Sequence, residues 1–152
     1  MKRLIFILMF FISMFAYSQK VYVGNSTYTS DILCNIVDGK IYKGNSTYTS
    51  DIIGIFDGYS IYDRNSHYTS DILFTYRNGN IHQGNSTYFS SIVANYKNDK
   101  IYYGLSSYFD KVIVTYKDNR VYAGNDTYTS NIILRTSSYV HPLILYFILT
   151  NL

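Results

Sequence analysis

The sequence predicts an all-β fold. Six β-hairpin repeats of 20 residues would form an antiparallel meander, closed into a shallow symmetric barrel, with an open hairpin solenoid as the alternative. Three observations lead there. The phrase GNSTYTSDI at 24–32 returns letter for letter at 44–52. Cutting the chain at every twentieth residue from Val21 gives six units without an insertion or deletion, the mark of a repeat architecture. Within each unit, turn signals bracket stretches in which residues alternate with a period of two.

The chain of 152 residues is about one domain long. Residues 1–18 read as a secretory signal peptide. Lys2 and Arg3 precede an apolar run from Leu4 to Ala16, and Ala16-Tyr17-Ser18 offers small residues for cleavage before Gln19. An uncleaved anchor is the alternative, but the run falls short of the roughly 20 residues that span a bilayer. Without Lys2 and Arg3, the 13 basic residues of the chain become 11 against ten acidic ones, all aspartate. No basic cluster survives to hold a phosphate backbone, which argues against nucleic acid as a partner. Glutamate and tryptophan are absent while tyrosine occurs 19 times, a composition that favours strands. Cys34 is the sole cysteine, so no intramolecular disulfide can form, and it reads as a small buried apolar residue.

The repeat domain runs over residues 19–134. Each unit opens with Val or Ile, followed by Tyr in every unit but the fourth, which has His82. Gly-Asn then marks a turn, since glycine accepts positive φ and asparagine tolerates it. Arg64 and Leu105 break that pair, so the turns of units three and five should be strained or differently built. From Tyr28 to Ile36 the alternation reads as one strand, with tyrosine and isoleucine inward and threonine and aspartate outward. Asp38-Gly39 and Asn78-Gly79 are strong hairpin signals, and Asp57-Gly58 comes one position early, predicting a longer loop. The apolar pairs Ile32-Leu33, Ile52-Ile53, Ile72-Leu73, Ile92-Val93, Val112-Ile113 and Ile132-Ile133 point to opposite faces, so strand centres are buried on both sides. An open sheet of about twelve strands would leave two exposed edges, and closure removes them.

After Leu134 the repeat fails, and residues 135–152 form an apolar tail ending HPLILYFILTNL. Three readings stand open for it: a closing strand that caps the array, an exposed anchor, or a frameshifted end with no evolved role. Ten or so apolar residues are too few to span a membrane.

Hairpin units reading IYxGNSTYTSDIL, a short DG turn and then KIY resemble the bacterial β-flower repeat proteins. The resemblance covers Val21 to about Leu134. It implies a shallow symmetric barrel of short antiparallel petals around an apolar centre, on secreted or membrane-linked chains. Six units exceed the four of the usual fourfold form, so the resemblance leaves the closure number open. A more distant likeness is to aromatic twenty-residue hairpin repeats that bind cell-wall glycans, but those rely on tryptophan.

Tyr28, Tyr48, Tyr68, Tyr88, Tyr108 and Tyr128 hold one position in all six units and would form a ring. Two readings apply: packing residues, favoured because a position filled six times is first a structural demand, or an aromatic surface facing sugar or lipid. Asp31, Asp51 and Asp71 line up, but neighbours would stand about 10 Å apart, two strand spacings, too far to share a calcium ion easily. The series continues as Ser91, Lys111 and Asn131. His67, His82 and His141 have no ligand-spaced partner, so no metal or other cofactor is expected. Asn25, Asn45, Asn85 and Asn125 open N-x-T sequences that coincide with turns, and turn chemistry accounts for them. The Thr-x-Thr pairs are too often interrupted for an ice-binding array. No nucleophile elbow or poised carboxylate pair is present, so no catalysis is expected. The sequence therefore points to an exported, non-catalytic β-repeat protein, a structural or binding module of the bacterial envelope. Its alternative is an envelope lipid- or glycan-binding protein using the apolar centre or the tyrosine ring.

Overall fold

The structure, a computed structural model, describes residues 18–151. The signal-peptide reading falls, but for Ser18, outside the described residues. Twelve strands follow in order: β1 (Gln19–Val23), β2 (Ile32–Val37), β3 (Lys40–Lys43), β4 (Ile52–Phe56), β5 (Ser60–Asp63) and β6 (Ile72–Arg77). The second half repeats them as β7 (Asn80–Gln83), β8 (Ile92–Lys97), β9 (Lys100–Tyr103), β10 (Val112–Lys117), β11 (Arg120–Ala123) and β12 (Ile132–Thr136). A helix, α1 (Pro142–Asn151), completes the chain.

The twelve strands form one closed antiparallel barrel in which sequence neighbours pair throughout and β1 pairs with β12. The predicted closure holds and the open solenoid does not. The last strand reaches Thr136, two residues past the predicted end of the repeat domain. Tight turns at 38–39, 78–79, 98–99 and 118–119 carry positive φ at both central residues, the geometry that matches strand twist in two-residue hairpins. At Asp57-Gly58-Tyr59 the loop is one residue longer, as its shifted Asp-Gly predicts. The other connections are eight-residue loops, here called petals: 24–31, 44–51, 64–71, 84–91, 104–111 and 124–131.

The strand expected from Tyr28 to Ile36 is shorter than its alternation suggests. Thr29–Asp31 form a 3₁₀ turn and β2 starts at Ile32. A bulge follows in every unit: Val21 pairs with Cys34 but Tyr22 pairs with Ile32, leaving Leu33 as the extra residue. Leu33 and Cys34 are thereby turned to the interior while Ile32 stays on the outer face, which is how the apolar pairs split between two sides. The freed bulge carbonyl is used. Gly44 N–H donates to Leu33 O at 2.9 Å, and Gly24 N–H donates to Ile133 O at 2.8 Å, closing the ring.

Arg64 adopts the left-handed conformation (φ 49°) that glycine holds in the other five units. Its bond to Ile53 O, 3.2 Å, is the longest of that series. The strain predicted for unit three is present. The turn of unit five is not rebuilt, because Gly104 keeps the left-handed position and Leu105 only adds an exposed side chain.

The tail is neither a closing strand nor an exposed segment. Its helix fills the barrel, burying Pro142, Leu143, Ile144, Leu145, Phe147 and Ile148 against Val21, Ile41, Ile61, Ile81, Ile101 and Val121. Side chains alone fill the lumen of about eight strands, and twelve leave room for a helix about 10 Å across. Ten helical residues span about 15 Å, comparable to strands of four to six residues. A helix apolar on every side is stable only when surrounded, and here it is. Pro142 fits the first helical position, where no N–H is needed. Cys34 lies buried in this core, and burial pushes its thiol up to about 12, in keeping with an inert packing role.

Candidate functional site

Each petal is built to hold one tyrosine away from the body. In the first, Gly24 turns the chain, and Ser26 Oγ accepts from Tyr28 N–H at 3.1 Å while donating to Asp31 Oδ2 at 2.5 Å. Asp31 N–H returns to Tyr28 O at 3.0 Å. The hydrogen bonds from Ser26 and Ser30 hold the Asp31 carboxyl below the usual carboxylate range. The same Ser–Asp clasp recurs as Ser46–Asp51 and Ser66–Asp71. Each of these aspartates is thus engaged within its own petal rather than converging on a shared ion.

The tyrosine preceding each 3₁₀ turn has extended backbone, φ near −78° at Tyr28, and its ring projects into solvent. Tyr28, Tyr48, Tyr68, Tyr88, Tyr108 and Tyr128 are 69–77% exposed. The favoured expectation, inward packing tyrosines, is therefore overturned. The 3₁₀ turn breaks the alternation on which it rested, so residue 28 never enters the sheet. The packing tyrosines are others, Tyr42, Tyr102 and Tyr122, which lie buried on the outer strand faces.

Unit four replaces the clasp. Ser91 stands where the first three units have aspartate, and its Oγ donates to Tyr88 O at 2.7 Å. His82, in place of a strand tyrosine, sets Nδ1 3.0 Å from Ser91 Oγ and 3.3 Å from Tyr88 O. These two departures from the repeat compensate one another, and the serine–histidine contact belongs to the support of the petal. Buried Asn35, Asn95 and Thr115, with half-buried Thr75, tie the petals down from the outer face through carbonyls of the following petal, as in Asn95 Nδ2 to Ser106 O at 2.7 Å.

At the opposite rim the sixth tight-turn position is taken by the chain's entry and exit. Lys20 O accepts from Ser137 N–H at 2.9 Å, and Tyr116 Oη accepts from Val140 N–H at 2.9 Å, directing the chain into the lumen. His141 sits between Phe56 and Tyr76, each ring centre 4.8 Å away, and its Nδ1 accepts from Leu143 N–H at 3.2 Å. Burial lowers the pKa of His141, which favours the neutral ring that this acceptor role requires. A groove of about 570 Å³ opens beside it, lined by Tyr59, Tyr76, Arg77, Thr87 and His141. A second of about 380 Å³ lies at the petal rim between Lys43, Arg64, Leu73 and Phe147. Both occur where the sequence departs from the repeat, at Tyr59 and at Arg64.

Sequence reasoning placed the tyrosines together but on the wrong side, and it missed the clasp. The signal was there, a serine and an aspartate five residues apart in each of the first three units. It also missed His141 as a helix cap, because the tail was not read as a helix.

A sequence profile of the family described as "6-fold beta flower protein" matches residues 16–96 and again 78–142. No curated protein and no solved structure matches the chain.

Proposed function

The chain belongs to the 6-fold β-flower protein family, and from that premise we propose that it is a non-catalytic binding module of the bacterial envelope, exported by its N-terminal apolar segment. Its binding surface is the ring of petal tyrosines, and its ligand class is a glycan or lipid of that envelope. One observation carries the reading: six large aromatic side chains are held in solvent by a dedicated hydrogen-bonded turn, at positions where packing asks nothing of them. A tyrosine offers a flat apolar face and a polar tip, a combination suited to sugar rings and to lipid headgroups. The apolar centre is the weaker candidate, because the side chains of residues 143–148 occupy it.

Native mass spectrometry of the chain purified gently from its own cell envelope tests this. A glycan or lipid adduct on the wild type, lost in a Tyr68→Ser/Tyr88→Ser variant of unchanged stability, is the expected result. Exposed substitutions of this kind change stability by about 0.5 kcal/mol or less. A bare wild-type chain would sink the reading. The same spectrum reports whether residues 1–18 have been removed.

A further inference from the structure

Strand register assembles a cationic patch on the outer wall of the barrel. Lys97 pairs with Lys100, Lys117 with Arg120, and Arg120 with Arg135, on the consecutive strands β8 to β12. Each stands next in sequence to a lumen-facing residue (Tyr96, Ile101, Tyr116, Val121 or Leu134), so all five project from the outside. No basic run marks them in the sequence, and it is the hairpins and the order of strands that bring them together.

Like charges directly opposite one another in a sheet are destabilising. The fold does not ask for these pairs, since the equivalent positions hold Val37 and Lys40 in the first hairpin and Arg77 and Asn80 in the third. Nor are the charges neutralised in place. Among the described residues the one ion pair is Lys111 with Asp110, in a petal, at 3.4 Å. Asp99 and Asp118, in the turns of the same two hairpins, line a small cleft at the barrel mouth, where Asp99 Oδ1 accepts from the Tyr96 hydroxyl at 3.2 Å. Arg120 has a neutral partner, its Nε donating to Asn25 Oδ1 at 3.3 Å. Five cations against two aspartates on this stretch of wall call for counter-charge from outside the chain.

The patch crosses five neighbouring strands, about 20 Å at four strand spacings, too long for one small anion to span. These are five of the twelve strands of a closed ring, so the wall turns through more than a third of a circle beneath the cations. A flat bilayer laid against the wall meets only part of that arc, whereas a flexible chain follows all of it. One hairpin before Lys97 stands exposed Arg77, where the groove of about 570 Å³ opens. Arg77 is the one charged side chain among its lining residues, with Tyr59, Tyr76, Asn78, Thr87 and neutral His141 beside it. Tyr76 and His141 pack edge to face with ring centres 4.8 Å apart, which leaves Tyr59, 73% exposed, as the free aromatic face. One free face flanked by polar groups and a guanidinium seats a single sugar ring and its acidic group, while a run of bases needs successive faces on which to stack. We infer that this rim binds a linear acidic polysaccharide, pairing its carboxylates with Lys97, Lys100, Lys117, Arg120 and Arg135 and seating one sugar ring on Tyr59 beside Arg77. The site lies at the rim opposite the petal tyrosines and stands independently of them.

Calorimetric titration of the full chain with a polygalacturonate oligomer tests it, with a dextran oligomer as the uncharged comparison. The acidic chain should bind and the neutral one should not, and added salt should weaken the binding. Lys100→Asn/Arg120→Asn, which copies Asn80 of the third hairpin, should lower affinity about fivefold or more. Its urea midpoint should be unchanged or raised, because a like-charge pair is relieved in each hairpin. Tyr59→Ser should lower affinity about fivefold while keeping the salt dependence of the wild type. Lys43→Gln/Lys111→Gln removes the same net charge at the petal rim and should bind like the wild type. No binding, equal binding of dextran, or wild-type affinity in the Lys100/Arg120 or the Tyr59 variant would overturn the proposal. So would an equal loss in the Lys43/Lys111 variant, which would reduce the effect to net charge. Tighter binding of single-stranded DNA of matched charge, or flotation with phosphatidylglycerol vesicles that the Lys100/Arg120 variant abolishes, would assign the patch to another partner and overturn it as well. An envelope adduct lost in Tyr68→Ser/Tyr88→Ser, together with no polygalacturonate binding, would leave the petal reading standing while this inference falls.

Discussion

Phe147 packs directly over Gly54: a Cβ on that glycine would stand 3.1 Å from Phe147 Cζ and 3.3 Å from its Cε1. The equivalent residues of the other units are Cys34, Phe74, Ala94, Val114 and Leu134, all facing the lumen. The missing side chain of unit two is thus a notch that receives one ring of the central helix. Opposite in character, Phe74 meets Tyr146 edge-on at 5.2 Å. A sixfold barrel offers a helix six equivalent orientations, and these unequal positions select one.

Filling the notch should therefore cost stability through the helix. Gly54→Val is expected to destabilise by about 1–3 kcal/mol, the usual penalty for overpacking a dense core. Phe147→Leu shortens the ring that the valine strikes. If the notch is the cause, the double variant is less destabilised than the sum of the singles by about 0.5 kcal/mol or more. Urea denaturation of all four proteins gives the cycle, and strict additivity would sink the explanation.

Arg64 holds a left-handed backbone that the other units assign to glycine. That conformation costs a side-chain-bearing residue about 1–2 kcal/mol, offset in part by the greater freedom of an unfolded glycine. Arg64→Gly should stabilise the chain by about 0.5–1 kcal/mol and raise Tm by roughly 3 °C. The reverse change, Gly44→Arg, should destabilise by a similar amount. A calorimetric scan that finds Arg64→Gly neutral or destabilising would show that the arginine side chain offsets its own strain.

These positions also mark how far the sequence could be read. The period of twenty, the Asp-Gly turns and the split apolar pairs are local features, and the closed hairpin barrel followed from them. The 3₁₀ turn did not, because Thr29-Ser30-Asp31 fits a strand's alternation equally well, and only the Ser26–Asp31 bond reveals the turn. For that reason the tyrosine ring was identified as a set but turned inward. The helix was illegible for a different reason. PLILYFILTN has no amphipathic period, since every side is buried, and an apolar run of that length reads as strand, helix or anchor alike. What decides it is the width of the lumen, a property of all twelve strands together.

Tyr116 shows how the chain is steered into that lumen. Its hydroxyl accepts from Val140 N–H at 2.9 Å, lies 3.0 Å from Thr136 Oγ1 and donates to Ser138 O at 3.3 Å, with Val140 fully buried. Tyr116→Phe keeps the ring but leaves the Val140 N–H without its acceptor. The expected loss is about 1–3 kcal/mol, the cost of an unsatisfied buried group. Faster amide exchange at residues 137–143 than in the barrel strands should accompany it. A variant as stable as the wild type, with unchanged exchange, would show that the hydroxyl is not what holds the crossing.

His141 couples the same crossing to pH. Its Nδ1 accepts from Leu143 N–H at the start of the helix, and its ring lies between Phe56 and Tyr76. Burial depresses the folded pKa below the ordinary 6.5. The unfolded chain therefore binds the proton more readily, and stability must rise with pH across the interval between the two values. The contribution is complete above about pH 6.5 and is lost as pH falls toward the folded value. Protonation would also place a donor where the helix needs an acceptor, and a positive charge at the end where the helix dipole is positive. Urea midpoints should thus decline from pH 7 to pH 5 in the wild type. His141→Asn retains a side-chain acceptor at the cap position but cannot titrate there, so its midpoint should decline less over the same interval. Parallel decline in both proteins would assign the pH dependence to other groups and remove His141 from it.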